Sequence, residues 1–105
     1  MYRAAPGQQV ALLKWFASQE RAAQAAGVPT GQLYAHTDGD SWDYLAIDPV
    51  TTDAQDDAVD AAAKKMGMPT GPAASLELRK YISVHTDTFA IGPTTPGQYL
   101  ALAGQ

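Results

Sequence analysis

The chain carries two histidines, His36 and His85, and each opens the same phrase: His36-Thr37-Asp38 and His85-Thr86-Asp87. Histidine is the side chain whose ordinary pKa lies nearest neutrality, so it suits proton transfer at physiological pH. An aspartate two positions on falls on the same side of an extended strand, where it could orient the ring or raise its pKa. This spacing supports a general acid/base or a donor that orients a ligand, with Tyr34 or Tyr44 as the second polar group. A plainer role is open as well: histidines hydrogen-bonded at strand ends, with the aspartates starting turns. His-x-Asp supplies at most two metal ligands. The sequence has no His-x-His pair, no HExxH motif and no dense carboxylate loop, so no metal site is expected. It also lacks a nucleophile elbow, a phosphate-binding glycine loop and a dinucleotide fingerprint.

Those residues need strands to hold them, and the punctuation of the chain supplies the elements. Met1–Ala5 reads as the end of a strand stopped by Pro6-Gly7. From Gln8 to Ala26 the apolar positions Val10, Leu13 and Ala17 recur at helical spacing, widened by Leu12, Trp15, Phe16 and Ala22. Gly27 followed by Pro29 is a helix stop. Two aromatic and branched runs, Gln32–Thr37 and Trp42–Val50, flank Asp38-Gly39-Asp40-Ser41 and read as a hairpin. Thr51 or Thr52 then caps a second helix ending near Met66. Its acidic residues Asp53, Asp56 and Asp57 lie early and Lys64 and Lys65 late, matching the helix dipole. Asp60 stands four residues before Lys64, a favourable order for a helix pair. The expected buried stripe of this helix is Val59, Ala62, Ala63 and Met66. Ser75–Ile82 fits a short helix or a strand, Val84–Ile91 a strand closed by Gly92-Pro93, and Gln98–Ala103 a final helix after the Thr95-Pro96 cap.

A repeat runs through this order. Gly27-Val28-Pro29-Thr30-Gly31 leads to the first histidine phrase, and Gly67-Met68-Pro69-Thr70-Gly71 leads to the second. Five positions separate the second glycine from the histidine in one half and fourteen in the other, so Pro72–Ile82 reads as an insertion. Strand, helix, strand, strand, helix, strand and terminal helix make the split β-α-β order of the ferredoxin-like α+β fold, one domain over residues 1–105.

Bulk properties narrow the partners. A net charge of −4, with no basic cluster beyond Lys64-Lys65 and Arg79-Lys80, argues against a nucleic-acid footprint. Without cysteine there is no disulfide frame and no thiol chemistry. No apolar run approaches the ~18 residues of a membrane span and no signal segment is apparent, which leaves the cytoplasm as the default location. The short first strand leaves it open whether residues upstream of Met1 were removed or left out.

The element order, the Pro6-Gly7 turn before the first helix, and a last strand with a histidine ending in Gly92-Pro93 resemble the dimeric α+β barrel group, which includes NIPSNAP-like, EthD-like and stress-responsive A/B-barrel proteins. The resemblance spans nearly the whole chain, and the Ser75–Ile82 insertion departs from the simplest members. It implies a homodimer whose two ferredoxin-like sheets close into a barrel, with a small-molecule pocket inside the barrel or between sheet and helices. Some members are monooxygenases or isomerases that work without a tightly bound cofactor, so none is expected; others have no known activity.

Strand alternation then sorts the side chains into faces. Tyr34 and His36 share one face of the second strand, Trp42, Tyr44, Ala46 and Asp48 one face of the third, and His85, Asp87, Phe89 and Ile91 one face of the last. Aliphatic faces suit the helices, which leaves the aromatic and ionisable faces for a pocket. The expected site is therefore His85, His36 and Asp87 as acid/base groups, with Tyr34, Trp42, Tyr44 and Phe89 around a hydrophobic ligand. The competing expectation is a non-catalytic assembly or stress protein whose polar sheet face only builds the dimer. The hairpin loop leaves His36 opposite either Trp42 or Asp43. In either case the two histidines sit on opposite edge strands, about 14 Å apart at ~4.8 Å per strand.

Overall fold

Both long helices, α1 (Gln9–Ala25) and α2 (Asp53–Lys65), end in the same way. Gly27 and Gly67 take the left-handed conformation, at φ 68° and 74°, which glycine adopts without a Cβ penalty. The Val28 N–H then reaches back to Ala23 O at 3.0 Å, and the Met68 N–H to Ala63 O at 2.9 Å. The doubled phrase in the sequence is thus a doubled helix stop. At its start α2 has a capping box: Thr52 Oγ1 accepts from the Gln55 N–H at 3.1 Å, and the Gln55 side chain accepts from the Thr52 N–H at 2.9 Å.

The computed structural model describes residues 1–105 and adds β1 (Tyr2–Ala4), β2 (Gln32–Ala35), β3 (Tyr44–Ile47), α3 (Pro72–Arg79), β4 (Ile82–His85) and α4 (Pro96–Leu102). The strands form one antiparallel sheet in the order β2-β3-β1-β4. This α+β topology is compatible with the ferredoxin-like fold and places β2 and β4 at the edges.

The undecided stretch before β4 is helical. Gly71 takes φ 60° and ψ −138°, a region open essentially to glycine alone, and Pro72 follows at the first helical position. At the other end, Glu77 accepts from Lys80 Nζ at 2.8 Å and from the Tyr81 hydroxyl, pinning the last turn. These contacts hold the Glu77 carboxyl below its usual range and raise Lys80 and Tyr81.

The last strand is shorter than the expected Val84–Ile91. Its partner β1 begins at Tyr2, and the final pairing is between Met1 and Thr86, whose N–H and carbonyl groups bond reciprocally at 2.9 and 3.0 Å. Residues 87–91 make no ladder bonds beyond this pair. The helical stripes also differ in part: Leu12, Ala22 and Ala63 are buried, but Val10 is 63% and Met66 43% exposed. Asp60 and Lys64 form no ion pair.

The sheet faces depart further from expectation. The register aligns Ala35, Tyr44, Tyr2 and His85 in one row. That row lies under the helices, because Tyr2 and Tyr44 both pack edge-on against Phe16 of α1, at 4.9 and 6.1 Å between centroids. The neighbouring positions Tyr34, Leu45, Ile47, Arg3 and Val84 point to the uncovered side. The physical reason is volume. Alanine-rich helices stand over this sheet, and large rings rather than aliphatic side chains fill the space beneath them. The resulting core is small, six buried residues centred on Ala4, Leu12 and Tyr44.

Candidate functional site

The sequence candidates do not converge on one pocket. His85 closes β4 and stacks on Tyr2 at 5.6 Å and 12° between planes, with Nε2 3.6 Å from Asp87 Oδ2. That separation is too long for a hydrogen bond, and both side chains are open to solvent. His36 lies one residue past β2 on the opposite edge. Its N–H donates to Asp43 O at 2.9 Å, so the hairpin has the longer loop, with His36 opposite Asp43. The His36 ring stands edge-on to Trp42 at 5.3 Å, with Nδ1 shielded and meeting no polar group of the protein. Tyr34 is half exposed on the uncovered face, whereas Tyr44 is buried beneath α1, its hydroxyl 3.4 Å from Gln9 O. Phe89, off the sheet, is 89% exposed. Tyr34, Trp42, Tyr44 and Phe89 therefore occupy four different environments.

The structure instead opens a cleft of about 740 Å³ between α1, α2 and the sheet, within the usual size range for small-ligand sites. Its floor is Tyr2, Leu33 and Ala46; Leu13, Trp15 and Phe16 form one wall and Val59 the other. The cleft exists because small residues, Ala17 and Ala23 on α1 and Ala46 on β3, face a space that larger side chains would fill. Gly31 closes one end. A Cβ there would stand 2.2 Å from both Ile47 O and Asp48 Oδ1, so only glycine lets β2 start this close to the end of β3. Four charged side chains line the cleft, and all are acidic: Glu20, Asp48, Asp56 and Asp60. No Lys, Arg or His reaches it. Thr51 donates to Asp56 Oδ1 at the rim.

The sequence explained the early aspartates of α2 by the helix dipole and placed Trp15 and Phe16 in the apolar stripe of α1. For Asp56 and Asp60 a signal was available, since they lie four apart, with Val59 between, on the side that turns to the sheet. Tyr2 had no such signal, because a three-residue strand carries no readable periodicity.

Tyr2 connects the two regions: its ring lines the cleft on one side and stacks on His85 on the other. Burial, then the Asp87 carboxylate, then that of Asp48, push its phenol above the ordinary value of 10.0. Tyr2 therefore remains a neutral hydroxyl donor throughout the physiological range. Burial and Asp43 raise Tyr44 in the same direction. In the unfolded chain both phenols ionise near pH 10, earlier than in the fold. Their contribution to stability is complete below about pH 10 and is lost as pH rises through the folded values. Tyr2→Phe is expected to make the decline of chemical-denaturation stability above pH 10 shallower while leaving the value at pH 7 to 9 flat. A decline as steep as the wild type's would assign it to other groups.

No protein family, characterised protein or solved structure shows significant similarity to this chain.

Proposed function

We propose that the protein binds a hydrophobic small molecule with an aromatic ring, neutral or positively charged, in the cleft between α1, α2 and the sheet. The observation that carries this reading is the lining itself: an apolar, aromatic interior of about 740 Å³ whose only charged groups are carboxylates. Tyr2, Trp15 and Phe16 offer ring edges and faces to an aromatic ligand, and to a cation through their π systems. A ligand carboxylate ~6 Å from one of the four acids costs roughly 1–3 kcal/mol, depending on how far water screens the pair. Aromatic acids are therefore poor ligands.

Any acid/base step in this reading falls to His85, with Asp87 beside it and the Tyr2 ring stacked between it and the cleft. His36, at the far edge, takes no part. The protein acts as a homodimer, consistent with the α+β barrel resemblance, because the uncovered sheet face presents Tyr34, Ile47 and Val84, each at least half exposed. The histidines' position outside the cleft favours a second reading, a non-catalytic assembly protein. The two separate in a titration of matched naphthalene compounds followed by tryptophan fluorescence, since Trp15 lines the cleft. The expected order of affinity is naphthylmethylamine, then naphthylmethanol, then naphthoic acid. If none of the three binds at millimolar concentration, the assembly reading takes the place of the first.

A further inference from the structure

The chain changes character at Asp87. Every charged side chain lies at or before that residue, and the eighteen residues that follow carry none. Every residue from Ser83 to Gln105 is exposed. Within this stretch Phe89 is 89%, Ile91 69% and Leu102 70% exposed, a density of bare apolar groups that a soluble surface seldom presents.

Yet the segment is ordered by its own signals. Thr95 caps α4, its Oγ1 accepting from the Gln98 N–H at 3.1 Å while the Gln98 side chain returns the bond at 3.1 Å, and Pro96 follows at the first helical position. α4 has seven residues, and isolated helices shorter than about 12–15 residues are marginal in water. It packs extensively against no other element of its own chain. A capped helix that carries Tyr99, Leu100 and Leu102 exposed and is too short to stand alone implies a surface that its own chain does not provide.

Surface area gives the scale of what is missing. A compact monomer of 11.1 kDa exposes about 5,700 Å², whereas this chain exposes 7570 Å². Its radius of gyration is 15.9 Å, against about 13 Å for a compact domain of this length. The excess, roughly 1,900 Å² per chain, exceeds the ~800 Å² per partner of a standard interface and falls in the range of obligate dimers.

We propose that residues 88–105 are an exchanged arm that lies on the uncovered sheet face of a second copy of this chain. That face matches the arm in chemistry: Tyr34, Leu45, Ile47 and Val84 are neutral, and Arg3 is the one charged side chain among the outward strand positions. The cleft is the poorer match, because an uncharged arm there would strip water from four carboxylates without pairing them. The proposal rests on the homodimer stated above and is independent of what the cleft binds.

The absence of native cysteine allows a direct test. The full chain and a chain ending at Asp87 are compared by light scattering. Separately, a Phe89→Cys or Leu102→Cys chain is mixed with an Ile47→Cys or Val84→Cys chain under mild oxidation. The expected result is a dimer for the full chain, a folded monomer for the shortened one, and disulfide-linked pairs of one chain of each kind. A shortened chain that remains as dimeric as the full one overturns the arm but not the dimer; a monomeric full chain overturns both. Disulfides that close within a single chain carrying both cysteines, at monomer mass, also overturn the exchange. Should the shortened chain fail to fold, the cysteine pairs decide the question alone.

Discussion

Leu12→Ala is expected to cost about 3 kcal/mol, within the 2–5 kcal/mol typical of such truncations, and to bring the protein close to unfolding at room temperature. Leu12 is the only large side chain with no exposure at all, and it sits between Ala4 and Tyr44 with Phe16, Leu78 and Ile82 packed around it. Small domains have about 5–15 kcal/mol of stability in total, and six buried residues place this one at the low end. The void cannot easily collapse, because Ala4 and Tyr44 are fixed by the sheet ladder. Urea denaturation checks the outcome: a loss below about 1 kcal/mol would mean that the centre of stability lies elsewhere.

Gly31→Ala is expected to be nearly as damaging for a different reason. The new Cβ meets Ile47 O and Asp48 Oδ1 at 2.2 Å and Asp48 Cα at 2.8 Å, and two of those three atoms are backbone. Either β2 or the end of β3 must move, at roughly 2–4 kcal/mol. For a domain of this length that lowers the melting temperature by at least about 10 °C. Gly71, its counterpart in the repeat, has open space where a Cβ would go and is constrained by its φ of 60° instead. The same letter in the same phrase thus answers to sterics in one half and to backbone conformation in the other. A Gly31→Ala protein that melts within about 2 °C of wild type would contradict the close approach of the two strands.

The contrast marks how far the sequence could be read. Its punctuation was legible because helix ends are local events: Gly27, Gly67, Thr52 and Thr95 each act through bonds to residues within five positions. Element order and sheet topology followed from that punctuation. The faces were legible only on β2, where Tyr34 lies on the open side as expected. Assigning Tyr44 and His85 to the open side assumed that aliphatic groups seek helices, but the alanines of α1 and α2 leave a gap that rings fill better. Nor could the length of β4 be read from residues 84–91, since a strand's extent depends on the partner residues that stand opposite it. The cleft was hidden for a related reason. It is made by residues from α1, α2 and three strands, and its acidic character emerges only once Glu20, Asp48, Asp56 and Asp60 stand around one space.

That space carries the central claim, and filling it is the most direct test. Ala46 forms part of the cleft floor beside Leu33, so Ala46→Phe places a ring where the ligand would lie without displacing packed atoms. Isothermal titration with naphthylmethylamine, on wild type and on Ala46→Phe protein of matched melting temperature, is expected to show binding to the first and at least a tenfold loss in the second. Equal affinity in both proteins would place the ligand elsewhere and contradict the account.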